Sequence, residues 1–404
     1  MAIIKPFAAL RPRPELAAQV CELPYDVLSS EEARQLAADN PLSFLHVSKP
    51  EIDLPPDTNP YAPDVYAKGR ENLRRLLADG VLRQDAEPCF HLYRQVMGAH
   101  SQTGLVAVAS CEEYLAGVIK KHELTRPDKE DDRVRHIETL NAQTGPVFLL
   151  HRAVPALDDL FTRRTEAPPE VDFTAPDGVR HMAWRLSDAA DIAFIESAFA
   201  RIPHLYIADG HHRSAAAARV YQSRRGAGAS AFFLAVIFSH HQLQILPYNR
   251  VVKDLNGLSP DAFLRQLAAV GDVTVSGPPQ PRRPHEVSFY LAGRWHTLAF
   301  HPALMQGVTP VEQLDTSLLQ RQVLAPLLGI ANPRTSERLS FVGGIRGTAE
   351  LVQLVDRGAY ACAFSLFPTQ VEDLMAVADA GELMPPKSTW FEPKLRDAMF
   401  CHLL

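Results

Sequence analysis

Long apolar runs are missing from this 404-residue chain. The longest, around residues 231–238, falls far short of the ~20 residues a membrane helix needs, so no spanning segment is expected. Residues 1–20, MAIIKPFAALRPRPELAAQV, lack an apolar h-region and are broken by Pro6 and Pro12, which argues against a signal peptide. Cysteine is sparse as well. Cys21, Cys89, Cys111, Cys362 and Cys401 are odd in number and scattered, with no CxxC pair or zinc-ribbon spacing. Neither a disulfide framework nor a structural zinc site is expected, and reduced thiols in a cytoplasmic protein are the plain reading. Positive charge is in deficit: 41 Lys and Arg face 47 Asp and Glu, for a net charge of −6. That balance disfavours a broad nucleic-acid or anionic-membrane surface while allowing a local basic pocket.

What is present is an ordinary globular composition at a length that usually divides into two domains. Ser29 followed by Glu32 is a capping-box pattern and predicts a helix to about residue 38. A Pro- and Asp-rich loop is expected over 51–63. Asp64 should then cap a helix with Val65, Leu73, Leu76 and Leu77 on its apolar face and Gly80 at its end. The β-rich runs 89–96 and 103–110 predict a hairpin across Gly98. Further on, strands are expected at 205–208, 232–238, 243–248, 339–342 and 361–367, a hairpin at 287–300, and helices at 214–223, 316–328, 349–355 and 369–378. This interleaving means a mixed α/β or α+β protein. The proline-rich stretch 258–286 is the best boundary, dividing residues 1–258 from a C-terminal α/β domain at 259–404 packed against them.

The sharpest chemical signal is YIADGHHRSAAAA. A short strand ends at Ala208, a glycine turn follows, and a small-residue helix begins near Arg213 or Ser214. The first amides of a helix have no intrahelical partners and lie at the positive end of its dipole, so such a turn is a ready anion site. Gly210 lets backbone approach a ligand, and Arg213 can fork onto phosphate oxygens. Asp209 could hold Mg²⁺ or accept a proton, and His211 or His212 could shuttle one near neutral pH. A plain helix cap with surface histidines is the competing reading. Five consecutive reactive or permissive residues on one turn weigh against it.

A second dense stretch spans 120–136, where thirteen of seventeen residues are charged or histidine. Lys121, Glu123 and Arg126 are candidates there, although a solvated helix face explains the run equally well. Pro127 should interrupt it. In MPPKSTWFEPK, Lys387 and Ser388 could reach a phosphate, but the glycines of a Walker A loop are absent. Arg250 lies off a strand end in YNRVVKDLNG, with turn capping as its alternative role. Gly343, Gly344 and Arg346 of FVGGIRG could serve similarly, or simply form a tight turn.

The DGHHR turn resembles the phosphate-binding box of the ParB/sulfiredoxin-like superfamily, and most of all that of its free serine kinase branch. The blocks PYDVLSSEEAR, NPLSFLHVSKPEIDLP, IKKHELTRPDKEDDR, YIADGHHRSAA, PYNRVVKDLNGL, FVGGIRG and MPPKSTWFEPKL are similar to those of a bacterial family called domain of unknown function 1015. The first resemblance implies a ParB/sulfiredoxin-like nucleotide-binding core. It also implies phosphoryl transfer to a small metabolite, free serine above all, using ATP or ADP with Mg²⁺. Arg213, Gly210 and Ser214 would then hold phosphate, with Lys121, Arg126, Arg250, Lys387 and Ser388 as further contacts. Asp209 would orient the metal or the hydroxyl. Glu123 would be the base, with Glu51 and Glu22 as alternatives. The rivals are a ParB-like nucleotide-gated clamp, disfavoured for want of a basic recognition helix, and a phosphoserine-type phosphatase. Small-molecule and nucleotide partners are expected, DNA and membrane are not, and a homodimer is compatible with the chain.

Overall fold

The computed structural model describes residues 1–404. It divides into two compact units, Met1–Leu243 with Pro393–Leu404, and Gln244–Glu392. The stretch 258–286, expected to separate domains, holds instead the helix Pro260–Leu267 and the strand Gly271–Val275, both inside the second unit. Proline opens that helix at its first turn, where the missing N–H costs nothing.

The first unit is built on a nine-stranded mixed sheet. Its order is Ile119–Lys120, Leu205–Asp209, Val147–His151, Phe232–Ser239, His100–Ser110, Phe90–Met97, Arg180–Leu186 and Val171–Thr174, with Ile4–Lys5 beside His100–Ser110. The hairpin across Gly98 forms as expected, closing with Met97 opposite His100. Phe232–Ser239 is buried along nearly its whole length because sheet neighbours and both faces cover it, so it reads as a continuous apolar run. Its ring Phe238 leaves no room opposite: a Cβ at Gly104 would lie 2.7 Å from that ring and from Val236. The core around Leu105, Leu149, Phe233 and Ile237 takes in Ala215, Ala217 and Ala218 from the helix His211–Ser223. Alanines let that helix lie close on the sheet, and its other side meets Ile137 of the helix Pro127–Leu140 through Ala216 and Val220.

Several local expectations hold and others shift. Ser29 and Glu32 make the reciprocal capping box at the head of the helix Ser30–Ala37. The next long helix, Pro63–Ala78, starts after Ala62 without a side-chain cap and is opened by Pro63, with Asp64 inside its first turn. Leu77 faces solvent there, not the core. Pro127 begins a helix and does not interrupt one. Residues 316–328 start as the α-helical turn Asp315–Leu319 and widen into a π turn at Gln320–Leu324.

The second unit is a six-stranded, wholly antiparallel sheet ordered Gly271–Val275, Arg294–Phe300, Glu286–Leu291, Cys362–Leu366, Tyr248–Val252 and Leu339–Gly343. Phe263, Phe289, Leu318 and Phe364 fill its core. No helix of the protein is long and apolar enough to cross a membrane. All five cysteines are free and buried.

Candidate functional site

Strand pairing decides where the chemistry collects. Leu205–Asp209 runs parallel to Ile119–Lys120 and antiparallel to Val147–His151. The turn after Asp209, the loop after Lys120 and the entry into Val147 therefore leave the sheet at one end. In open α/β sheets that end, beyond the strands' carboxyl termini, is where ligands are held.

Gly210 turns the chain with φ +92°, and the helix starts at His211, earlier than expected. Asp209 Oδ1 accepts from the Gly210 N–H at 2.8 Å, and Oδ2 stands 3.1 Å from Lys394 Nζ. Burial pushes the Asp209 carboxyl up, but Lys394 and Arg213 outweigh it and hold it well below the usual carboxylate range. Both oxygens are engaged and an ammonium occupies the open side, so this residue as it stands does not fit a divalent cation.

Arg213 is buried and already clamped. Its Nη1 donates to the Pro146 carbonyl at 2.6 Å, and its Nη2 lies 3.2 and 3.0 Å from the two oxygens of Asp26. Burial works against its charge, while Asp26, Asp209 and Asp397 together raise its pKa. Only Nε lacks a partner. The Ser214 hydroxyl is buried and donates back to the His211 carbonyl at 3.0 Å.

The two histidines have different fates. His211 is buried against His122, ring centroids 4.5 Å apart and edge-on. Neither nitrogen of His122 and not Nε2 of His211 finds a hydrogen bond. Burial lowers His122 to about 4 against the pull of Asp209, and holds His211 well below the ordinary histidine value, with His122 adding to the effect. Both shifts favour the neutral ring. His212 is half-buried, and its Nε2 accepts from the Arg126 N–H at 3.0 Å. Burial lowers its pKa also, against Asp26 and Glu130.

Of the other expected residues, Glu123 is half-buried in the loop that follows Lys120. Lys121 is exposed, its Nζ 4.8 Å from the centre of the Tyr114 ring. The Arg126 side chain turns to solvent and pairs with Asp128. Glu51 is taken by Ser30 and Lys49, and Glu22 by Ser43, with burial raising the latter. Arg250, Lys387 and Ser388 belong to the second unit. There Arg250 donates to the Lys387 carbonyl at 3.0 Å, Lys387 Nζ is 5.5 Å from the Tyr248 ring centre, and the Ser388 hydroxyl donates to the Pro385 carbonyl.

His122, from the dense charged run, joins the site, and so do Tyr25, Asp26, Arg133, Lys394 and Asp397, which had not been singled out as site residues. They come from chain segments far from the turn, so no local spacing announces them. A cavity of about 30 Å³, room for one or two waters, lies behind Arg213 and is lined by Tyr25, Arg133, His136, Thr144, Arg213 and Asp397. Asp397 Oδ1 is buried there without a partner. Burial drives its carboxyl up to about 7 despite Arg213. The bare Cα of Gly145 makes room for it, since a Cβ would come within 2.5 Å of Oδ1.

A mixed α/β protein carrying a buried, charge-paired strand–turn–helix site is the class these features define. The chain belongs to the family described as protein of unknown function (DUF1015), which matches residues 4–317. The blocks FVGGIRG and MPPKSTWFEPKL lie beyond the matched residues. No curated protein sequence matches the chain. Among solved structures, C-terminally truncated SbnI from Staphylococcus aureus is similar at 11% identity and TM-score 0.40, over 72% of this chain and 85% of that one. A free serine kinase in complex with AMP is similar at 12% identity and TM-score 0.36, over 71% and 86%. A conserved hypothetical protein from Pyrococcus furiosus gives 12% and 0.36, over 73% and 93%.

Proposed function

We propose that this protein is a phosphoryl-transfer enzyme that moves phosphate between a nucleotide, ATP or ADP, and a small metabolite, with free serine as the leading acceptor. One observation carries the reading: a thirteen-residue helix opens on a left-handed glycine at a sheet end, with two cations, Lys394 and Arg213, held at its first turn. Fixed donors of this kind stabilise charge that develops on phosphoryl oxygens, commonly by several kcal/mol in total.

In this reading the free amides of the first turn and Lys394 receive phosphate, while Asp209 holds Lys394 in place. Asp26 holds the Arg213 fork until substrate phosphate competes for it. The neutral pair His122 and His211 offers uncharged nitrogens to a bound hydroxyl. Glu123, in the loop leaving the same end of the sheet, takes the hydroxyl proton. Magnesium ligated by the nucleotide's own phosphates requires no oxygen of Asp209.

The test is phosphoserine formation from serine with ATP or ADP, wild type beside Asp209→Ala and Arg213→Ala. Turnover that falls at least a hundredfold in both variants is expected. Full turnover in both, or no product with either nucleotide, overturns the proposal. Release of phosphate from phosphoserine without nucleotide replaces it with a hydrolase.

A further inference from the structure

Away from the turn, three side chains of metal-binding type meet near the start of the strand Phe90–Met97. Cys89 and His91 are two residues apart on extended chain, Cys89 bridging to Phe7, so both project from the same face. Asp85 follows the strand Leu82–Gln84, and its N–H donates to the Ala9 carbonyl. Cys89 Sγ is 3.8 Å from Asp85 Oδ2 and 3.8 Å from His91 Nε2, and those two atoms are 3.2 Å apart.

These edges can be compared with the needs of an ion. Ligands at the usual zinc distances, about 2.0 Å for nitrogen and oxygen and about 2.3 Å for sulfur, stand about 3.3–3.6 Å apart around a tetrahedral centre. Three donors thus already form a face of such a tetrahedron, with adjustments of a few tenths of an ångström. We infer that Asp85, Cys89 and His91 bind a zinc ion, with the fourth position open to water or another small ligand.

The surroundings favour this arrangement. Cys89 and His91 are wholly buried, so bulk water does not compete for the donors. Arg11 does not block the metal-facing oxygen: its Nε and Nη2 hold the other one, Oδ1, at 3.0 and 2.9 Å. That is the placement of a group that orients a ligating carboxylate from behind. Glu170 takes the Nη1 of Arg11 at 2.7 Å and offsets its charge. Arg185 Nε donates to the sulfur at 3.3 Å, a cation placed beside the donor atom, while burial keeps the unmetallated thiol raised overall. Ligand chemistry of one sulfur, one imidazole and one carboxylate selects zinc over magnesium or calcium. The D-x₃-C-x-H spacing matches none of the zinc patterns sought in the sequence, which is why it passed unnoticed.

The experiment uses the full chain, independently of any phosphoryl transfer. Protein stripped with a chelator is titrated with Co²⁺ and then with Zn²⁺ in competition with a chromophoric chelator. One equivalent of Co²⁺ with a thiolate charge-transfer band in the near ultraviolet, displaced by Zn²⁺, is expected. Cys89→Ser should abolish the band and weaken zinc binding at least a hundredfold, whereas Cys401→Ser should keep both. Absence of the band in wild type, which needs no variant to fold, or its persistence in Cys89→Ser, overturns the site.

Discussion

Arg213 and Arg250 are buried to a similar degree in their own units, 8% and 3% exposed, yet their surroundings are opposite. Arg213 is encircled by Asp26, Asp209 and Asp397, and its charge is favoured in spite of burial. Arg250 donates to the carbonyls of Tyr248, Pro386 and Lys387, and burial with no carboxylate to offset it lowers its pKa to about 9. One guanidinium balances an excess of negative charge and the other ties a loop. Burial of an arginine therefore says little by itself about anion binding. What marks the Arg213 region is the set of charges that would be left unbalanced without it.

The largest expected effect separates the two. Arg213→Met strips the counter-charge from buried carboxylates, and removing one partner of such a set costs about 3–5 kcal/mol. Arg250→Met replaces an uncompensated cation by an apolar chain of similar length and should stay within about 1 kcal/mol of wild type, because desolvation relief offsets the lost hydrogen bonds. Urea denaturation of both variants checks this. Equal losses, or the reverse order, would break the distinction.

A smaller effect sharpens the picture from the acid side. The Asp397 pKa is raised from 3.8 unfolded to about 7 folded. The folded state thus binds the extra proton between those values. The contribution is greatest below about pH 4 and is lost as pH rises through 7, by up to about 4 kcal/mol. His122 has the opposite sign: its pKa is lowered to about 4, so its contribution is present above 6.5 and lost as pH falls through 4. Melting temperatures of wild type and Asp397→Asn between pH 4.5 and 8 should converge at the acid end, with the variant gaining relative to wild type as pH rises. A difference that does not change with pH would mean that Asp397 is ionised throughout.

The legible parts of the molecule were the local ones. Ser29 with Glu32, the hairpin across Gly98 and the strand–glycine–helix turn after Asp209 are each specified within a dozen residues by capping, turn and propensity rules. What escaped was set by tertiary structure. Lys394 meets Asp209 from 185 positions away, and Asp26 meets Arg213 from 187, pairings with no trace in periodicity. The charged run at 120–136 read equally as a solvated face, yet packing buries Asp132 and His136 within it. The boundary expected at 258/259 rested on proline density, while Pro260 is a helix opener and residues 393–404 return to the first unit. Glycine and histidine types showed where the turn was, but not that its arginine and aspartate were already paired.

Gly210 offers the finest test, because its cost in stability and its effect on activity can be separated. At φ +92° an L-residue is strained by about 1–2 kcal/mol. The new Cβ would have ordinary contacts, 3.4 Å to Val147 Cα and 3.6 Å to Arg213 Cδ, so backbone strain is the whole expected cost of Gly210→Ala. A chain relieving that strain rotates the peptide between Asp209 and His211 and re-aims the first amides of the helix. If those amides receive phosphate, kcat/KM should fall at least tenfold while stability drops by only about 1–2 kcal/mol. If activity per folded molecule is unchanged, the turn is a helix start and the anion must be held by Lys394 and Arg213 alone.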